Sequence, residues 1–139
     1  MIMKKWSGIR AALVCVILAG TILFAACGSR EEELTELEFT VVEKERLPEE
    51  LFKIIEEKKA ESFKLTYADG GYLYLCVGYG KQQTGGYSIS VNKLGATENA
   101  IYLDTNLIGP TEADEKNASP SYPYLVVKTP FMDKTVVFE

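Results

Sequence analysis

The sequence predicts a mainly β domain, an antiparallel sandwich or a small barrel, with one helix near its N-terminus. Apolar and polar residues alternate through six or seven short segments between residues 39 and 138, which is the period-two pattern of strands. Brief turns join most of these segments, as is typical of antiparallel sheets. A single segment, 48–60, has the spacing of an amphipathic helix.

The helix over 48–60 is supported at both ends. Pro48 suits the first helical position, acidic residues occupy the first turn, and Lys58 and Lys59 occupy the last, so the charges complement the helix dipole. Leu51, Phe52, Ile54 and Ile55 form an apolar stripe. We therefore expect this helix to pack against the sheet, and a short β-like run at 39–42 to precede it.

Two strands are predicted on either side of Asp69-Gly70-Gly71, a strong signal for a tight hairpin. The first alternates over 63–67. The second, 72–79, is apolar on both faces: Leu73, Leu75 and Val77 lie on one, and Tyr72, Tyr74 and Cys76 on the other. A strand with two apolar faces is expected at the centre of a sheet, where Cys76 would fill the core.

Four further strands complete the prediction. The segment 87–92 alternates with Tyr87, Ile89 and Val91 inward, and the segment 100–107 does so with Ile101, Leu103 and Leu107 inward. A polar loop covers 109–121, and strands follow at 122–129 and 135–138.

The N-terminus has the three parts of an exported protein's leader. Basic residues are followed by an uncharged, mostly apolar run from Ala11 to Phe24. The next residues, Ala25-Ala26-Cys27-Gly28-Ser29, complete a segment that resembles the lipobox of bacterial lipoproteins. This resemblance implies removal of residues 1–26 and lipidation of Cys27 with diacylglycerol and, in many lipoproteins, a further N-acyl chain such as palmitate. An uncleaved signal anchor is the alternative, and both place the domain outside the cytoplasmic membrane.

The chain is thus divided into a signal peptide at 1–26, an acidic tether at 27–38 and one β domain at 39–139. The leader holds three basic residues and no acidic ones, so the mature chain keeps 12 Lys and Arg against 20 Asp and Glu. A domain with this negative charge is repelled by phosphate backbones, which excludes a nucleic-acid partner. Its predicted attachment to the membrane depends on lipid alone.

Residues for catalysis are scarce. The chain has no histidine, the commonest general base and metal ligand. Cys76 is the one thiol left after removal of Cys15 and acylation of Cys27, and the acidic residues at 112–115 lack the spacing of a calcium loop. We therefore predict a protein that is not an enzyme, without catalytic residues, metal site or cofactor.

A glycine-bracketed loop carries a family resemblance. The stretch from Gly78 to Val91 contains Thr84-Gly85-Gly86-Tyr87 at the start of a strand, and Tyr122-Pro123-Tyr124 opens a later one. Together these segments resemble the C-terminal domain of the PrcB family of protease complex subunits. The resemblance implies a non-catalytic lipoprotein that assembles with a surface protease or stabilises it.

The same loop supports more than one interpretation. Its glycines permit positive φ angles, so it is either a tight connection or a partner-binding loop. The candidate binding residues are Lys81, Gln82, Gln83, Thr84, Gly85, Gly86 and Tyr87. The loop is also similar to the Thr-Gly-Tyr loop of chagasin-type inhibitors, which implies protease inhibition as an alternative function for residues 80–87.

A third function remains open, a module that binds cell-wall glycan. Five strand tyrosines would form its aromatic platform: Tyr72, Tyr74, Tyr102, Tyr122 and Tyr124.

Overall fold

Two four-stranded sheets and one helix make up the domain in the computed structural model, which describes residues 33–112 and 119–139. The first sheet has the order β1 (Thr35–Glu36), β5 (Ser88–Ala96), β6 (Ala100–Ile108), β8 (Thr135–Phe138). The second has the order β2 (Thr40–Val41), β7 (Tyr124–Pro130), β4 (Tyr72–Tyr79), β3 (Ser62–Asp69). A 3-10 turn at Lys44–Arg46 precedes the helix α1 (Glu49–Lys58). The predicted mainly β class is confirmed, as a sandwich and not a closed barrel.

The strand β4 lies at the centre of the second sheet and is buried on both faces. Leu73, Leu75 and Val77 face the first sheet, where they pack in a cluster with Leu94, Ile101, Leu103 and Val127. Tyr74 and Cys76 face the opposite side and pack beneath α1, with Leu51, Ile55 and Val126. The predicted central strand and the predicted packing of the helix are both confirmed.

Gly78 of β4 has to lack a side chain because the ring of Phe63 lies against it. A Cβ built on Gly78 would lie 2.9 Å from Cζ of Phe63 and closer still to two other atoms of that ring. Phe63 is the partner of Gly78 in β3 and packs against the cluster beneath the helix. The absent side chain therefore lets the ring lie flat on the strand.

Two strands differ from the prediction for identifiable reasons. β5 continues to Ala96 because its register with β6 shifts between Val91 and Lys93, a bulge that lets both Val91 and Leu94 reach the core. The regular alternation stops at Asn92, where the predicted strand ended. β8 pairs with β6 in parallel, so the predicted antiparallel pattern is wrong for this pair. The link from β7 crosses between the sheets at the end of the sandwich where β6 starts.

The segment predicted as tether joins the domain before its end. Thr35 and Glu36 pair with Ala96 and Gly95, and the Leu37 amide donates to the Leu94 carbonyl at 3.0 Å. The leader and Cys27 lie outside the described residues. Among the helices that the structure describes, none is long and apolar enough to cross a membrane.

The two ends of the sandwich differ in what they carry. One end, here called the loop end, holds residues 59–62, 80–87, 108–112 and 119–123. The opposite end, here called the tether end, holds Leu34, the hairpins at 69–72 and 97–100, and the link at 131–134. The chain enters the domain at the tether end, so the candidate loop lies far from that point.

We predict that Gly78→Ala destabilises the domain by about 1–3 kcal/mol, because the added methyl group overpacks against the Phe63 ring. The free energy of unfolding in urea measures the loss. The double variant Gly78→Ala/Phe63→Leu should lose less than the sum of the two single changes, because the clash disappears with the ring. Additive losses would contradict this account of Gly78.

Candidate functional site

The candidate loop, residues 80–87, carries the chain from β4 in one sheet to β5 in the other. It starts at Gly80 with φ of +75°, a backbone conformation that favours glycine. A Cβ there would also lie 3.1 Å from the Ser62 amide nitrogen. The Lys81 amide donates to the Ala60 carbonyl at 3.2 Å. The first residues of the loop are therefore held against the segment that follows the helix.

Ser121 holds the middle of the loop. Its amide and carbonyl both bond the backbone of Gln82, with N···O distances of 3.1 and 2.8 Å. Its hydroxyl donates to the Thr84 carbonyl at 2.6 Å, and the Gln82 side chain donates to the Tyr79 carbonyl at 3.1 Å. The base of the loop is thus fixed by the segment that leads into β7.

The predicted binding residues divide by exposure. Lys81, Gln83 and Gly86 are exposed, whereas Gln82, Thr84, Gly85 and Tyr87 are half-buried. Gly86 has φ of +84°, as a tight connection requires, and the side chains of Lys81 and Gln83 point into solvent. No atom within 4 Å would meet a Cβ on Gly85, so that position leaves open space for a neighbouring backbone.

Lys59 and Tyr122 lie beside the candidate loop and enlarge the surface at the loop end. Lys59 lies 5.5 Å from the ring centre of Tyr122, which is exposed beside the loop. A hydrogen bond of 2.8 Å to Glu56 raises the pKa of Lys59 above its ordinary value. Ile108, paired with Ser88 at the start of β5, adds an exposed apolar side chain at the same end.

The sequence analysis missed Ser121 and Lys59 as parts of this surface. Ser121 lies 39 residues after Gln82, in a loop that was predicted only to be polar. No periodic pattern connects such distant residues, because their contact depends on how the two loops meet at the end of the sandwich. Tyr122 was singled out as a member of an aromatic platform.

The Cys76 thiol and the hydroxyls of Tyr79 and Thr105 contribute to the packing and bonding of the sandwich. Burial raises the pKa of the Cys76 thiol to about 12, so this cysteine stays protonated in the core, as predicted. The Tyr79 hydroxyl and the Thr105 hydroxyl share a hydrogen bond of 2.6 Å that joins the two sheets. Within residues 33–112 and 119–139 no three His, Cys, Asp or Glu residues lie close enough to hold a metal ion.

The tyrosines of the predicted glycan platform do not come together. Tyr74 is buried beneath the helix, and Tyr102 belongs to the other sheet, where Lys93 lies over its ring at 6.0 Å. Tyr72 and Tyr122 are exposed at opposite ends of the domain. The structure therefore gives no support to a flat aromatic surface for glycan.

The protein-family model PrcB C-terminal matches residues 73–130. The matched segment runs from β4 through the candidate loop to the end of β7, and the resemblance predicted from the sequence is confirmed. Comparisons with curated proteins and with solved structures gave no match.

We predict that Ser121→Ala loosens the loop without unfolding the domain. Loss of the hydroxyl leaves the Thr84 carbonyl without this donor, which should lower the free energy of unfolding by about 0.5–1.5 kcal/mol. Amide hydrogen exchange should accelerate at residues 82–87, whereas in β4 it should accelerate by no more than the loss in global stability allows, because amides of a buried strand exchange through global unfolding. Exchange that is unchanged in the loop would show that the backbone bonds of Ser121 suffice.

Proposed function

Because this chain carries the PrcB C-terminal domain over residues 73–130, we propose that it is a non-catalytic accessory subunit of a protease complex. In this proposal, lipid on Cys27 holds the domain at the outer face of the cytoplasmic membrane. The loop at 80–87 binds the partner protein. The family match supports a role related to a protease complex, and the anchor and the loop are proposed from the features that follow.

The anchor is supported by the leader and by the position of the first strand. The lipobox-like segment ends at Cys27, and β1 begins eight residues later at Thr35. The intervening residues are mostly polar and acidic, as suits a solvated spacer. Two long acyl chains hold a protein at a bilayer effectively without release, since each buried CH₂ contributes about 0.8 kcal/mol.

Replacing Cys27 by serine tests the anchor, because an oxygen at this position cannot form the thioether to diacylglycerol. We expect the natural chain, expressed with the full leader in a bacterial host, to be found in membranes and to incorporate labelled palmitate. Cys27→Ser should abolish the label, whereas Cys76→Ser should retain it. Palmitate incorporation that survives Cys27→Ser would contradict the assignment of the lipid to this thiol.

The loop is supported by its preorganisation and by its place within the family match. Hydrogen bonds to Ser121 and Ala60 fix its base, so a partner would not have to order the backbone on binding. A preorganised loop loses less conformational entropy in a complex, which favours affinity. The exposed amide of Gln83 and ammonium of Lys81 offer donors, and Gly85 allows close approach of another chain.

Recovery of a partner from membrane extracts tests the loop. We expect the lipidated protein to recover a protease, and Lys81→Glu or Gly85→Leu to reduce this recovery about tenfold or more, as for a central interface residue. Lys64→Glu is the matched control for charge, since Lys64 is exposed on the edge strand β3, away from the loop tip. Neither loop change should alter the melting temperature, because Lys81 is exposed and a Cβ on Gly85 would meet no atom within 4 Å.

The outcomes separate the proposed roles. If Lys64→Glu and Lys81→Glu reduce protease recovery equally, the loop is not part of the interface. A recovered protease that is active in the complex agrees with an accessory subunit. A protease that is inactive in the complex, and regains activity on release, would instead favour inhibition, the second candidate function, which the fixed base of the loop also suits.

A further inference from the structure

We propose that the tether end of the domain rests on the bilayer through three exposed aromatic side chains, Phe39, Tyr72 and Phe131. The partner would be the lipid surface itself, a zwitterionic headgroup layer with the upper acyl chains beneath it. This inference rests on the lipid anchor of the proposed function, and it adds an orientation that the anchor alone does not determine.

The first support is where the chain enters the domain. Leu34 packs over Gly95 of β5, beside the hairpin at 97–100, which lies at the tether end. Six residues lie between Cys27 and Leu34, and the seven residue steps that join them reach at most about 25 Å when fully extended. The point of attachment therefore stays close to the bilayer, and the tether end is the part of the domain nearest to it.

The second support is the apolar surface at this same end. Phe39, Tyr72 and Phe131 have 40%, 42% and 50% of their surfaces exposed. The backbone brings two of them together, since the Phe131 amide donates to the Gly71 carbonyl at 3.0 Å next to Tyr72. Phe39, Tyr72 and Pro130 line the same groove. Exposed aromatic groups that cluster at one end are typical of a surface that is covered in use.

The third support is the chemistry of the groups around these rings. Lys128 lies 4.0 Å from the ring centre of Tyr72, so a cation and a phenol hydroxyl accompany the apolar surface. Tyrosine and lysine have an apolar body and a polar tip, and side chains of this kind favour the headgroup region of membranes. A phenylalanine beside them can enter the region of the acyl chains.

Charge and affinity decide what kind of membrane contact this is. Glu36, Glu38 and Asp133 lie near the same end, and the mature chain is acidic as a whole, so anionic lipid would oppose the contact. Three half-exposed rings are too few to hold a free protein at a bilayer. A lipid anchor, however, makes the contact intramolecular, with an effective concentration in about the millimolar range for a short linker. A weak contact then suffices to orient the domain.

The consequence for the proposed function is the direction of the candidate loop. The loop at 80–87 lies at the opposite end of the sandwich, so a domain that rests on its tether end presents this loop away from the membrane. A partner would then meet the loop without competing with lipid.

A pair of tryptophan reporters tests the contact. The single tryptophan of the chain is Trp6, in the leader, so the processed lipoprotein has none. Phe131→Trp places a reporter at the tether end, and Tyr122→Trp places a matched aromatic reporter at the loop end. Each lipidated variant is reconstituted into phosphatidylcholine vesicles that carry bromine on the upper acyl chains, and Phe39→Trp serves as a second tether-end reporter should Phe131→Trp not fold.

We expect bromine to lower the emission of the tether-end reporter about twofold or more, because interfacial side chains lie roughly 5–10 Å below the headgroup boundary. The emission of Tyr122→Trp should not change. Equal emission with and without bromine at the tether end, in protein that floats with the vesicles, would overturn the contact and leave the anchor intact.

Two other outcomes are distinct from these. Protein that does not float with the vesicles would show that the anchor itself is wrong, and the inference would fail with it. A tether-end reporter with blue-shifted emission in native membranes, but without quenching in brominated vesicles, would assign this surface to a protein partner and overturn the membrane contact.

Discussion

Burial of β4 on both of its faces is the constraint on which the rest of the domain depends. A strand with leucine and valine on one side and Tyr74 and Cys76 on the other cannot leave either side in water. The first sheet covers one side and α1 the other, so one strand requires both layers. Burial of apolar surface stabilises a fold by about 25 cal/mol for each Å² removed from water.

The candidate site is built at the end of this same strand. β4 ends at Tyr79, whose hydroxyl is bonded to Thr105 across the sandwich and whose carbonyl accepts from Gln82. The loop that follows is therefore attached to the most deeply buried part of the domain. Its further bonds to Ser121 make it an extension of the scaffold, which agrees with binding by a preformed surface. The family match covers this scaffold and its loop together.

The two proposed tasks use opposite ends of the domain. The tether end holds the point where the chain enters and three exposed aromatic rings, while the loop end holds exposed donors and the open space at Gly85. The proposed accessory role and the proposed membrane contact are compatible because they use different surfaces. In this proposal the protein has no catalytic role, and it holds a partner-binding loop at a fixed distance from the bilayer.

The sequence by itself determined the fold class, the helix, the central strand and the hairpin at Gly70 and Gly71, because hydrophobic period and turn glycines are local signals. It also singled out the loop at 80–87 and the resemblance to the PrcB C-terminal family. Only the tertiary structure decided that β5 continues past Asn92 through a bulge, that β8 runs parallel to β6, and that Thr35 and Glu36 join a sheet. These features depend on contacts between residues far apart in the chain, as does the bond from Ser121 to Thr84. No local pattern encodes such contacts, since they follow from how the layers meet once their apolar faces are buried.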